Sequence, residues 1–210
     1  MDIFSSDKEP VSHVVAVLKD MHVPYMIGGS VALSVWATPR MTHDLDLVVD
    51  LPDHLIADFC SRFSDERYHI DPEAMRETFS LSSHAGMGMY SFIDIKAGLK
   101  VYLFPLRADD EFQQAALSRC VWQEVVAGVK AYVCTPEDLL VQKLRWYVLS
   151  DSERQFRDCL NLMLSDLRRP IPLISLDYVE DWAIRLGPEV QAAWEQVKVA
   201  VHRTLSQSTD

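Results

Sequence analysis

Gly28-Gly29-Ser30-Val31-Ala32-Leu33-Ser34-Val35-Trp36, followed after a short polar link by Asp44-Leu45-Asp46-Leu47-Val48-Val49, is the stretch that decides how this chain is read. The apolar run Tyr25-Met26-Ile27 stops at the glycines, and Ser30 stands where a helix N-cap belongs, so the order is strand, glycine turn, helix. The second segment has a β-rich end, and Asp44 and Asp46 are two residues apart. On a strand they share one face.

Two neighbouring carboxylates repel each other, and a hard divalent cation with oxygen ligands relieves that repulsion. A glycine turn at a helix N-terminus offers backbone N–H donors and a favourable dipole to phosphate, and the Ser30 hydroxyl adds a donor. Taken singly, Gly-Gly-Ser is most often a tight turn with a cap, and Asp-x-Asp is more often a solvated strand face than a metal site. In this order and spacing the two point to a metal-assisted phosphate site.

Working outward, Val11, Val14, Val15 and Leu18 predict a helix ending near Val23-Pro24, where the residue before proline leaves the α region. Pro52 and Asp53 open a helix to about Phe63. Residues 68 to 89 read as irregular or hairpin-like. Phe92–Ile95 and Leu99–Phe104 flank Lys96-Ala97-Gly98 as a hairpin, a helix is predicted from Asp109 to about Gln123, and a short strand from Ala131 to Cys134. Thr135-Pro136-Glu137-Asp138 combines a cap, a first-position proline and acidic first-turn groups, so a helix runs from there to about Tyr147. Helices to about Leu167, from Leu176 to Leu186 and from Pro188 to about Leu205 complete the chain. The expected fold is α/β (α+β), a small mixed β-sheet flanked by helices. Residues 1–134 form the core, and 135–210 form a helical C-terminal part packing on it.

The 210 residues carry a formal net charge of −11, with fourteen acidic and six basic side chains in residues 1–92. Such a chain repels polyanions, so nonspecific DNA binding is not expected and any anion site must be local. The four cysteines lie far apart without a Cys-x-x-Cys pair, which argues for reduced thiols and against zinc. The N-terminus has acidic residues where a signal peptide needs basic ones, and no run of about 18 apolar residues occurs. A cytoplasmic protein without membrane association is the expectation.

Gly28-Gly29-Ser30 with Arg40-x-Thr42-x-Asp44-Leu45-Asp46 resembles the signature of the minimal nucleotidyltransferases of the DNA polymerase beta superfamily. Thr135 to Leu144, with Ser152-Glu153-Arg154-Gln155-Phe156-Arg157-Asp158, looks like the AbiEii-type and related bacterial branch, whose members include toxins of toxin-antitoxin pairs. The similarity covers roughly residues 10 to 165. It implies a nucleotidyltransferase-like core that moves a nucleoside monophosphate from an NTP to a hydroxyl of RNA, a protein or a small molecule. Mg²⁺ or Mn²⁺ would sit on Asp44 and Asp46, and phosphate on Gly28, Gly29, Ser30 and Arg40. Lys143 and Asp158 match a downstream lysine and aspartate that this branch uses, so the resemblance implies Asp44, Asp46, Lys143 and Asp158 as the catalytic residues, and an antitoxin protein is an implied partner.

Some of these residues have other readings. Arg40 is equally a loop cation. Lys143 projects from the apolar stripe of its helix, where it wants an anion unless its stem snorkels to water. Asp158 shares a polar side with Arg154 and Asn161, where an Arg154–Asp158 pair explains it without function. His43 alternates to the face opposite the aspartates, and Trp146, Trp182 and Trp194 fit core positions.

One departure stands out. Where the family has a third carboxylate, Lys100-Val101-Tyr102-Leu103-Phe104 places Tyr102. A phenol, with a reference pKa of about 10, is a poor Mg²⁺ ligand. Asp94, on the neighbouring hairpin strand, is the candidate substitute, unless it is a solvated edge carboxylate. The alternative function is therefore an inactive relative that binds a nucleotide or a partner protein.

Overall fold

The computed structural model describes residues 8–63, 66–85 and 88–207. The N-terminal residues on which the absence of a signal peptide was read lie, up to Asp7, outside these. The described elements are α1 (Glu9–Asp20), β1 (Tyr25–Ile27), α2 (Gly29–Trp36), β2 (Asp44–Val49), α3 (Asp53–Ser61), β3 (Tyr68–His69), α4 (Pro72–Ala85), β4 (Tyr90–Asp94), β5 (Leu99–Pro105), α5 (Glu111–Arg119), β6 (Val121–Val126) and β7 (Val129–Val133), followed by α6 (Pro136–Ser150), α7 (Glu153–Leu167), α8 (Leu176–Leu186) and α9 (Pro188–Gln207). The chain is thus a mixed α/β protein with a helical C-terminal half. No described helix is long and apolar enough to cross a membrane.

Two compact units divide the chain. The first takes residues 1–35 and 39–134; the second takes 36–38 and 135–210.

The first unit is built on a seven-stranded mixed sheet in the order β3-β4-β5-β2-β1-β7-β6. Its centre is β2, parallel to β5 and antiparallel to β1. Alternation along β2 and β5 sends Leu45, Leu47, Val101 and Leu103 to one face, where all are fully buried. Phe92 of β4 joins that face beside Phe59 of α3 and Phe63 just past its end, with ring centroids 6.4 and 5.1 Å away. Burying each such aromatic contributes roughly 1.5–3 kcal/mol. The opposite face carries the polar half of the alternation, and that division positions the site.

Two segments depart from the predicted elements. Residues 72–85, expected to be irregular, form α4, because Asp71 caps it: its Oδ1 accepts from the N–H of Glu73 at 2.9 Å and of Ala74 at 3.3 Å. With Pro72 at the first helical position this is a complete start signal. The helix expected to run from Asp109 to Gln123 stops at Arg119, since Cys120 turns to an extended backbone and Val121–Val126 pairs with β7. Gly128, at φ +78°, makes the tight turn between β6 and β7 possible.

The second unit packs α6 to α9 around Trp194, which is fully buried. Thr135 caps α6 by accepting from the Asp138 N–H at 3.2 Å, and the Tyr178 hydroxyl of α8 donates to Asp138 Oδ1 at 2.6 Å. Asp166, at the end of α7, accepts from the N–H groups of Leu173 and Ile174 at 2.8 and 3.1 Å and so pins the link to α8.

Candidate functional site

In the first unit the glycine turn and the paired aspartates come together. The Gly28 N–H donates to the Asp46 carbonyl at 2.9 Å, which lays the turn against β2. Gly29 adopts φ +56° at the start of α2. A Cβ built on it would meet Asp46 Oδ2 at 1.8 Å, so the Asp46 carboxylate occupies the space that only glycine leaves open. A carboxylate at a helix N-terminus is favoured by the helix dipole.

Thr42 fixes the geometry from below. Its hydroxyl lies 2.7 Å from the Ser30 hydroxyl and accepts from the Asp44 N–H at 3.1 Å, tying the helix start to the strand start. The Ser30 side chain is buried, with its hydroxyl hydrogen-bonded to Thr42. Thr42 is the positioning residue that sequence reasoning passed over. The signal was there, since a threonine two residues before a strand carboxylate makes a local side-chain turn.

The register of β2 on β5 sets Asp44 beside Lys100 and Asp46 beside Tyr102. Asp44, Asp46 and Tyr102 are half-buried on one face, and Lys100 is exposed. His43 is exposed, and Arg40 is half-buried in the link before Thr42.

Asp94 leaves the ligand set. In the β4–β5 pairing it stands opposite Leu99, with Phe92 opposite Val101, so it belongs to the face of Leu45 and Leu47 and not to that of Asp44 and Asp46. It is fully buried, accepts from Arg67 Nε at 2.7 Å and from the Ala97 N–H at 3.0 Å, and closes the hairpin turn. Neither a metal ligand nor a solvated edge carboxylate describes it. Glu9 also pairs with Arg67, and these bonds hold the guanidinium's pKa above its ordinary value.

Lys143 and Asp158 meet in the second unit. Lys143 Nζ donates to Asp158 Oδ2 at 2.7 Å, with both side chains about one-twentieth exposed. Lys143 therefore finds its anion inside the protein and does not snorkel. Asp158, expected on a wet face with Arg154, is buried, and the exposed i,i+4 pair of α7 is Glu153–Arg157. Beside them, burial pushes the Cys159 thiol well above the ordinary cysteine range.

Among the described residues, no group of three or more His, Cys, Asp or Glu side chains forms a metal cluster. Two carboxylates are nevertheless a sufficient protein share for Mg²⁺, which is commonly bound through one or two carboxylates with substrate phosphates completing its shell. Asp44 and Asp46 fit that donor set.

No family profile and no curated protein matches the chain. Solved structures are similar to it. An antigenic nucleotidyltransferase-like protein from Paracoccidioides brasiliensis is 19% identical, with a TM-score of 0.56 over 99% of this chain and 94% of that one. ANT(2")-Ia in complex with adenylyl-2"-tobramycin is 13% identical, with a TM-score of 0.52 over 90% of this chain and 96% of that one. The likeness establishes a nucleotidyltransferase-type fold.

Proposed function

We propose that this chain is a divalent-metal-dependent nucleotidyltransferase, moving a nucleoside monophosphate from an NTP to a hydroxyl acceptor. The observation that carries the reading is the contact between the Asp46 carboxylate and the Gly29 turn, with Asp44 on the same sheet face. Carboxylates to hold a cation and backbone donors to hold phosphate are thereby adjacent.

In this reading Asp44 and Asp46 hold Mg²⁺ or Mn²⁺, which when bound neutralises charge building on the phosphates. Gly29 and Ser30 cradle the phosphates through backbone N–H groups, Gly28 shapes that cradle by spending its own N–H on the Asp46 carbonyl, and Arg40 clamps the phosphates with its guanidinium. Phosphoryl transfer needs positioning and charge neutralisation more than covalent participation, so such residues suffice for the chemistry. Lys143 and Asp158 take a supporting part as a buried pair joining α6 to α7. The AbiEii-type branch, a toxin role and an antitoxin partner belong to the same reading and rest on the sequence motifs alone.

The test is incubation with Mg²⁺ and each α-labelled NTP, with RNA, protein and small-molecule hydroxyl acceptors. Tobramycin belongs in the panel because ANT(2")-Ia was solved with its adenylylated form. Transfer that disappears in Asp44→Asn and Asp46→Asn supports the reading. A silent wild-type chain beside an active Tyr102→Asp variant would replace it with nucleotide binding without turnover, the reading that Tyr102 favours.

A further inference from the structure

We infer that Tyr102 is itself an acceptor, so that the protein nucleotidylates its own phenol; this rests on the proposed nucleotide site. The register places Tyr102 directly beside Asp46 across β2 and β5, on the same sheet face. Strands in a sheet lie about 4.8 Å apart and side chains stand roughly perpendicular to it, so the two rise together from neighbouring positions. The phenol oxygen stands farther from its backbone than a carboxylate does, and therefore reaches the level of a phosphate bound above Asp46.

Two further observations leave the hydroxyl ready. Tyr102 is half-buried, and its hydroxyl makes no hydrogen bond within the described residues. Its neighbour across the β4–β5 pairing is Ser91, small and exposed, so that register position sets no bulky side chain beside the ring.

The step balances without any reagent beyond the NTP. The Tyr102 oxygen forms a bond to the α-phosphorus, and the bond from that phosphorus to the oxygen bridging the β-phosphate breaks. Pyrophosphate leaves with the electron pair, and the phenolic proton goes to solvent. A phenol is a stronger acid than an aliphatic hydroxyl and needs less help from a base. Its fixed place also gives it the advantage of an intramolecular reactant. The product fills the acceptor position, so the modification shuts off further transfer.

The experiment is intact-mass and peptide mass spectrometry of the whole chain after incubation with Mg²⁺ and each NTP, without added acceptor. The expected result is a mass gain of a single nucleoside monophosphate, mapped to Tyr102, absent in Tyr102→Phe and reversed by a phosphodiesterase. Calorimetry with a non-hydrolysable NTP analogue and Mg²⁺ runs alongside, and Tyr102→Phe should bind as the wild type does. External transfer without label on Tyr102 overturns the inference and leaves the proposed function standing, whereas binding with neither label nor transfer overturns the inference and leaves nucleotide binding without turnover. Label on another residue, retained in Tyr102→Phe, overturns it equally. No binding, no transfer and no label overturns both.

Discussion

The Asp46 carboxylate lies against Gly29 so closely that a Cβ there would sit 1.8 Å from Oδ2. Gly29→Ala must therefore move the carboxylate or the turn, in addition to bearing the cost of φ +56°, about 1–2 kcal/mol for a side-chain-bearing residue. Gly98 is the control, because its φ is +67° and no atom lies within 4 Å of its built Cβ. Denaturant unfolding should show Gly29→Ala losing more stability than Gly98→Ala, and only Gly29→Ala should lose nucleotide affinity. Equal losses would mean that the Asp46 contact has no weight.

The buried Lys143–Asp158 pair makes a different forecast. Removing one partner leaves the other charged and buried, which costs about 3–5 kcal/mol, whereas replacing both with apolar side chains is often neutral. Lys143→Met and Asp158→Asn should each lower the unfolding midpoint sharply, and Lys143→Met with Asp158→Leu should recover most of the loss. Additive losses in the double variant would contradict the pairing.

Glu180 on α8 contributes to the acid limb of stability. The hydrogen bond from Lys198 is the main cause holding its carboxyl below the ordinary glutamate value, with Trp194 Nε1 also donating at 2.8 Å. Because the folded value is the lower one, this contribution is fully present above the unfolded value and is lost as pH falls through the folded value. Wild-type Trp194 fluorescence should report loosening of α8 on α9 below about pH 4.3, the glutamate reference. Glu180→Gln should flatten that acid limb.

Much of the site was legible because its signals are local. Cap, proline and acidic first turn announced α6, and alternation announced β2 with both aspartates on one face. The same cap grammar marks Asp71-Pro72-Glu73, so the start of α4 is as local a signal as that of α6. Other features were set by partners distant in the chain. β6 is a strand because β7 pairs with it, and strand preference is largely a matter of such packing. The face of Asp94 follows from the hairpin register, which puts it opposite Leu99, one side-chain alternation out of step with Tyr102. Asp158 sits on a helix whose local pattern makes it polar, and a lysine fifteen residues earlier makes it buried.

The central claim is that Asp46 and the Gly29 turn form a metal–nucleotide site, and calorimetric titration of NTP into the wild-type chain and Asp46→Asn, with and without Mg²⁺, tests it most directly. The account predicts binding by the wild type that requires Mg²⁺, weakened at least about tenfold in the variant, a loss of about 1.4 kcal/mol. Binding of equal strength in both chains, or binding indifferent to Mg²⁺, would contradict it.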